Sequence, residues 1–272
     1  MLSIERQAII KDILLEQKSV SVAGLTERFD VSFETIRRDL KVLEKEGMIE
    51  KTYGGAVLKQ KVMNPADYQT LAHIMVDSKR KMAQRAVKLI APGDCIYIGF
   101  STTCVQVAAL LPDIPVVVMT NSLEVMKMLS ERKNVTLFST GGNWDSRNHA
   151  FLGRTALDNL EGYHLDKAFI SCRGLSMEVG LSDKTGLESD MRRKVAECSN
   201  EVYLMADRTK FDKVTFVKTC GFERITGVIT DERMSDLWRN FLKGRGIRYY
   251  DEEIMDGEDE THDGNHLEIN QE

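Results

Sequence analysis

Arg37 and Arg38 stand side by side, with Ser32, Glu34, Thr35 and Lys41 close by in the chain. Each guanidinium is a planar fork that fits guanine O6/N7 or a pair of phosphate oxygens. Ser32 and Thr35 suit phosphates near a helix start, where backbone N–H groups also point outward. A second set of chemistry-bearing residues recurs farther along. Ser101, Thr102 and Thr103 form a hydroxyl cluster, and Asn121 lies in a Thr-Asn-Ser run. Gly141 and Gly142 follow Ser-Thr, Arg173 follows a cysteine, and Asp207 and Lys210 share the run Ala-Asp-Arg-Thr-Lys. Small, hydroxylic and cationic groups of this kind suit a small polyhydroxylated anion.

The first set needs a helix to present it. Ile9/Ile13 and Ile10/Leu14 are i, i+4 pairs, so residues 3–16 read as an amphipathic helix. Val22, Leu25 and Phe29 predict a short second helix, and Asp30-Val31 leaves room only for a turn. Ser32 then caps a third helix running to about residue 46, with Ile36, Leu40 and Leu43 as its buried stripe and Gly47 ending it. Residues 48–51 and 56–58 are strand candidates around Gly54-Gly55, a hairpin signal. Three helices and a two-stranded wing make a winged helix-turn-helix, a small α+β domain over residues 1–58. Its third helix enters the major groove of double-stranded DNA. Glu34, Arg37, Arg38 and Lys41 fall on the exposed face, and Lys51 and Tyr53 sit on the wing, suited to backbone or minor groove.

Net charge alone argues against DNA. The chain carries -5, and residues 1–58 hold nine basic and ten acidic side chains, as an ordinary solvated surface would. But contact is local, and the helix-turn-helix spacing with its wing is more specific than two arginines. Much of the acidity also lies at one end. Residues 251–272 hold ten acids and no Lys or Arg; the rest of the chain has 37 basic against 32 acidic residues. With few apolar residues and a like-charge run, 251–272 reads as an acidic, disordered tail.

The second set needs a sheet. Residues 59–77 contain Pro65 and no strong periodicity, and read as a linker with a short helical piece. From 78 to 250 helical patterns alternate with short apolar runs at 95–98, 116–119, 135–138, 167–171, 202–205, 228–229 and 247–250. Such alternation implies an α/β domain with a mostly parallel sheet covered by helices. Ligands of these sheets bind beyond the carboxyl ends of the strands. The second set falls just after five of them, so five strand ends are expected to converge on one site. Taken singly, a Ser-Thr-Thr is an ordinary helix cap and a Gly-Gly an ordinary turn.

The five cysteines, Cys95, Cys104, Cys172, Cys198 and Cys220, have no Cys-x-x-Cys spacing, which favours reduced thiols over a disulfide framework or zinc site. No metal or cofactor is expected. No apolar run is long enough to cross a bilayer, and residues 1–11 lack a signal-peptide pattern, so a cytoplasmic protein is expected.

The run VSFETIRRDLKVLEKEGMIEKTYGGA, residues 31–56, resembles the N-terminal winged helix of the DeoR family of bacterial transcription regulators. That pattern reads roughly V-S-x-x-T-I-R-R-D-L, then L-E and a Gly, then a wing ending in H-G-G-A. Tyr53 replaces the wing histidine, and Glu50-Lys51 replaces a frequent Arg-Arg. The resemblance continues to about residue 250. IYIGFSTTC sits where the family's sensor domains carry D-x-G-T-T; TNSLEV, STGGNW, LMADRTKF and ESDMRRKVAECS are similar to further family segments. It implies a ribose-5-phosphate-isomerase-like fold that binds phosphorylated sugars or related metabolites. By that likeness Ser101, Thr102 and Thr103 cradle the phosphate, Asn121, Gly141 and Gly142 line the sugar, and Asp207 and Lys210 close the far side. Three departures stand out: the family's Asp is Gly99, its Gly is Ser101, and its third hydroxyl position is Cys104. Arg173 is unusual at its place and adds an anion contact.

The expectation is a non-enzymatic, carbohydrate-responsive regulator, chiefly a repressor, acting on its operator as a homo-oligomer (dimer or tetramer). Two alternatives stay open. A sugar-phosphate isomerase with a DNA-binding appendage needs a placed carboxylate, yet the isomerase-like D-G-A-D-E is here Cys172-Arg173-Gly174-Leu175-Ser176, leaving Asp183 and Glu188 unmatched. A purely dimerising large domain would respond to no metabolite.

Overall fold

The computed structural model describes residues 2–17, 19–45, 49–58 and 68–251. The N-terminal unit has α1 (Ser3–Gln17), β1 (Ser19–Ser21), α2 (Val22–Phe29), α3 (Phe33–Lys45), β2 (Ile49–Thr52) and β3 (Gly55–Leu58). Ile10, Leu14, Leu25, Ile36, Leu40, Leu43 and Ile49 form its core. Asp30 closes α2 in the left-handed region at φ 49° and ψ 52°. The Ser32 hydroxyl then accepts from the Thr35 N–H at 3.2 Å, starting α3 as a serine cap should.

The wing corrects one expectation: it has three strands, in the order β1-β3-β2, not two. Gly55 makes the third possible. A Cβ there would lie 1.9 Å from the Val20 carbonyl oxygen, so only glycine lets β1 approach. The predicted helix end at Gly47 lies outside the described residues, as do 59–67 of the predicted linker and 252–272 of the predicted tail. Asp251 belongs to the folded part. It is buried and accepts from Arg239 at 2.7 and 2.8 Å and from the Met234 N–H at 2.9 Å.

The second unit begins with α4 (Tyr68–Ala72) and α5 (Val76–Val87). Then come β4 (Cys95–Ile98), α6 (Thr102–Leu110), β5 (Val116–Thr120), α7 (Leu123–Leu129), β6 (Val135–Ser139), the hairpin β7 (Asn143–Asp145) and β8 (Ala150–Leu152), and α8 (Arg154–Asp158). The second half runs β9 (Leu165–Ser171), β10 (Gly174–Ser176), β11 (Gly180–Asp183), α9 (Gly186–Glu197), β12 (Ser199–Met205), β13 (Val217–Cys220), β14 (Gly227–Ile229), α10 (Asp236–Lys243) and β15 (Arg248–Tyr250).

Seven strands form one sheet, ordered β15-β14-β12-β9-β4-β5-β6, and every pairing is parallel. Side-chain alternation divides β4 between two cores: Ile96 and Ile98 pack with α5 and α6, whereas Tyr97 joins the α8, α9 and α10 side. The chain runs outward from β4 through β5 to β6, then returns to β9 and runs the other way through β12, β14 and β15. The order therefore reverses between β4 and β9, where such sheets open a crevice. A small antiparallel sheet, β10-β11-β13, is inserted beside that point.

Candidate functional site

On the N-terminal unit, α3 buries Ile36, Asp39, Leu40 and Leu43 and exposes Phe33, Glu34, Arg37, Arg38 and Lys41. All the predicted helix residues thus share an open face, with Ser32 and Thr35 at its start, their hydroxyls 2.9 Å apart. Tyr53 is fully exposed at the wing turn. Lys51 is committed differently, its Nζ lying 2.7 Å from Glu44 at the end of α3, which braces the wing against the helix.

One residue of this unit carries more weight than its place in the motif suggested. Asp39 is buried under α3 and accepts from Arg6 Nε at 2.6 Å and Gln7 Nε2 at 2.8 Å. The pair locks the α3 orientation to α1. Its signal was in the spacing, because Asp39 follows Ile36 by three and precedes Leu43 by four, on the apolar stripe.

In the second unit a cleft of about 950 Å³ opens at the reversal of strand order. Ser101, Thr102 and Thr103 reach it after β4, Cys172 and Arg173 after β9, and Asp207 and Lys210 after β12. Ser101 caps α6, accepting from the Cys104 N–H at 3.0 Å. Tyr68, Lys79 and Asn148 also line the cleft.

Three of the five expected strand ends meet here; those of β5 and β6 do not. They lie outward from β4, and the β7–β8 hairpin folds over them, with the Phe151 N–H donating to the Asn121 carbonyl at 2.8 Å. Asn121 is fully buried. Its Oδ1 accepts from the Tyr97 hydroxyl at 2.6 Å and its Nδ2 donates to the Phe151 carbonyl at 3.0 Å. Gly142 sits at φ +115°, where a Cβ would meet Ala156 at 2.8 Å. Asn121, Gly141 and Gly142 are absent from the cleft lining; Asn121 and Gly142 serve packing.

The cleft is strongly cationic. Lys184, Arg192 and Lys213 join Lys79, Arg173 and Lys210 on its walls, against the carboxylates of Asp207 and Asp212. Arg192 is buried and organises the floor. Its Nε donates to the Ser171 carbonyl, one amino group lies 3.1 Å from Asp183 and 3.2 Å from the Glu188 carbonyl, and the guanidinium stacks 4.5 Å above Phe100. Asp207 accepts from the Thr209 N–H at 2.9 Å. Burial pushes its pKa up, but the Lys210 charge and the Thr209 hydrogen bonds outweigh burial and hold it below the usual carboxylate range. Burial dominates at Cys104 and lifts its thiol to about 11, so it packs as a small neutral residue.

Sequence reasoning missed Lys79, Lys184, Arg192 and Lys213. Lys184 follows β11, a strand of four residues that no pattern announced, and Lys213 lies on the loop before β13. Arg192 belongs to α9, which starts at Gly186 behind a Thr185/Glu188 capping box and buries Arg192 with Met191 and Val195.

A winged helix whose third helix exposes Arg37, Arg38 and Lys41, joined to a parallel α/β domain with a cationic crevice, defines a ligand-responsive DNA-binding regulator. The DeoR-like helix-turn-helix domain matches residues 6–62 and the DeoR C terminal sensor domain matches residues 74–232; the chain belongs to the DeoR family of transcriptional regulators. An L-fucose operon activator of Haemophilus influenzae is 32% identical over 89% of this chain and 97% of its own. The HTH-type transcriptional regulator IolR of Bacillus subtilis is 31% identical over 88% and 95%. The HTH-type transcriptional repressor GlcR of Bacillus subtilis is 27% identical over 94% and 98%. A ribose 5-phosphate isomerase A from Methanocaldococcus jannaschii is similar over 50% of this chain and 55% of its own, at TM-score 0.38 and 20% identity. Among the described residues, no helix is long and apolar enough to cross a membrane.

Proposed function

We propose that this regulator represses carbohydrate-utilisation genes and that a phosphorylated sugar in the crevice controls its grip on the operator. The observation that carries the reading is the crevice itself. Six cationic side chains and the N-terminus of the nine-residue helix α6 surround one cavity at the switch point of the sheet. Backbone N–H groups at a helix start and adjacent hydroxyls suit a phosphate. A relative named for an L-fucose operon supports the carbohydrate side of the reading, and one named as a repressor supports repression.

In this reading Ser32, Thr35, Arg37, Arg38 and Lys41 contact DNA, with Glu34, Lys51 and Tyr53 at the margins. Ser101, Thr102, Thr103, Arg173, Asp207 and Lys210 hold the effector. A homo-oligomer supplies the second α3 needed for a two-fold operator. Catalysis is not part of the reading. Asp183 is fully buried against Arg192 and Thr219, and Glu188 caps α9, so neither is placed to move a substrate proton.

The test is fluorescence anisotropy of the full chain on DNA from upstream of its own gene, at stated salt, with a panel of sugar phosphates. Release by one compound is the expected result. Tight binding that no compound shifts, together with no thermal stabilisation by any, would refute the sensor reading. A saturating ligand at 100 times its dissociation constant adds about 2.7 kcal/mol, so stabilisation is readable.

A further inference from the structure

The cations of the crevice are not spread evenly. Arg173, Lys184 and Lys210 come from three separate segments that backbone bonds bring together. The Arg173 N–H donates to the Ser182 carbonyl at 3.0 Å, two residues before Lys184, and the Leu175 N–H donates to the Lys210 carbonyl at 2.9 Å. For two of them the carboxylate neighbour sits at long range: Glu188 is 3.9 Å from Arg173, and Asp207 is 3.9 Å from Lys210. Both carboxylates also accept nearer bonds, from the Thr185 N–H at 3.3 Å and the Thr209 N–H at 2.9 Å. Three like charges facing one cavity repel each other, and Lys184 registers it. Burial and the Arg173 and Lys210 charges lower its pKa to about 8, against an opposing pull from Glu188.

Ser101, Thr102 and Thr103 stand at a different place. They follow β4, whereas Lys210 follows β12, and β9 lies between those strands. One strand spacing separates them from Arg173, which follows β9, and two separate them from Lys210, the latter roughly 10 Å. A single phosphate does not bridge that distance, and a cavity of about 950 Å³ admits a longer ligand.

We propose that the effector is doubly anionic: a short polyhydroxylated chain with a phosphate at the start of α6 and a carboxylate or second phosphate at Arg173, Lys184 and Lys210. This rests on the sugar-phosphate reading above and narrows it. The second group relieves the repulsion among the three cations, so selectivity for it is built into the cleft. Both a phosphorylated sugar acid and a sugar bisphosphate have this chemistry.

The experiment is isothermal titration of the full chain, at fixed ionic strength and pH 7, with matched trios in the four-, five- and six-carbon series. Each trio is an aldose phosphate, the corresponding aldonic acid phosphate and the corresponding bisphosphate. The expected result is that a doubly anionic member binds at least about tenfold tighter than its matched monophosphate, as charge-assisted hydrogen bonds to a second anion imply. Which of the two wins identifies the second group. Lys184→Gln and Arg173→Gln should each shrink that preference by about tenfold, with circular dichroism showing the fold retained. Equal binding by monophosphate and doubly anionic members overturns the inference and leaves the sugar-phosphate reading standing. So does a preference that neither variant alters. Failure of every member, mono- and doubly anionic alike, overturns the sugar-phosphate reading and the inference with it.

Discussion

Asp39 holds α3 in place from its buried side, away from the exposed face that carries Arg37 and Arg38. Its carboxylate accepts from Arg6 at 2.6 Å and Gln7 at 2.8 Å, and the Arg6 and Asp39 side chains are 7% and 2% exposed. Asp39→Ala would strand the Arg6 guanidinium in the core, which costs about 3–5 kcal/mol. A domain of this size has only about 3–9 kcal/mol in total, at roughly 0.05–0.15 kcal/mol per residue. The lower figure for the loss corresponds to a fall of about 12–24 °C in the melting temperature of the small domain. Both tryptophans, Trp144 and Trp238, lie in the second unit, so their fluorescence follows that unit alone. The expected outcome is a calorimetric transition of the N-terminal unit displaced downward, operator binding lost at 37 °C, and a tryptophan melt that stays where it was. Replacing both partners, as Arg6→Met with Asp39→Leu, should recover most of the stability, since no charge is then left unpaired. An Asp39→Ala chain whose small domain melts within about 4 °C of the parent would show that the pair is not what fixes α3.

Other consequences follow from the same geometry. Arg38→Ala should weaken operator binding and, if Arg38 reads a base, relax one operator position by about 1–3 kcal/mol in a selection from randomised sites; unchanged affinity and specificity would remove α3 as the reader. Thr102→Val deletes a hydroxyl at the start of α6 and should lower the effector-induced rise in melting temperature; an undiminished rise would move the phosphate elsewhere. Lys184, held near 8 by burial and by the Arg173 and Lys210 charges against Glu188, faces the cleft, and a bound anion raises that value. Binding then takes up a proton, so affinity is full below pH 8 and falls as pH rises through it, by about tenfold between pH 7 and pH 9. A flat titration profile across that range would place the effector away from Lys184.

How much of this was legible follows from how far apart the cooperating residues lie in the chain. The reading face was, because a helix brings Ser32, Thr35, Arg37, Arg38 and Lys41 together by spacing alone. The ends of β4, β9 and β12 were legible at one remove, since a parallel sheet places its carboxyl edges together whatever the loops contain. Strand order was not, and it decides which edges meet: β5 and β6 run outward from the reversal point, so Asn121 and Gly142 became packing residues. The third wing strand, which the sequence does not announce, shows the same limit in miniature. Ser19-Val20-Ser21 has no periodicity to speak of, and it pairs only because Gly55, far along the chain, offers no Cβ.

Lys184 and Lys213 show why a cationic crevice can hide in an acidic chain. Both sit beside strands of three or four residues in an antiparallel insertion, where each lysine looks like solvated surface. Brought back across the end of β9, they add to Arg173, Arg192 and Lys210 in a cavity walled by low-dielectric protein, where like charges focus their field instead of being screened. The exposed face of α3 follows the same locality. At physiological salt a charge acts over about 8 Å, so acids elsewhere on the chain neither neutralise Arg37 and Arg38 nor fill the crevice. Net charge -5 is a property of the whole sequence, whereas binding a polyanion is a property of a surface a few residues wide.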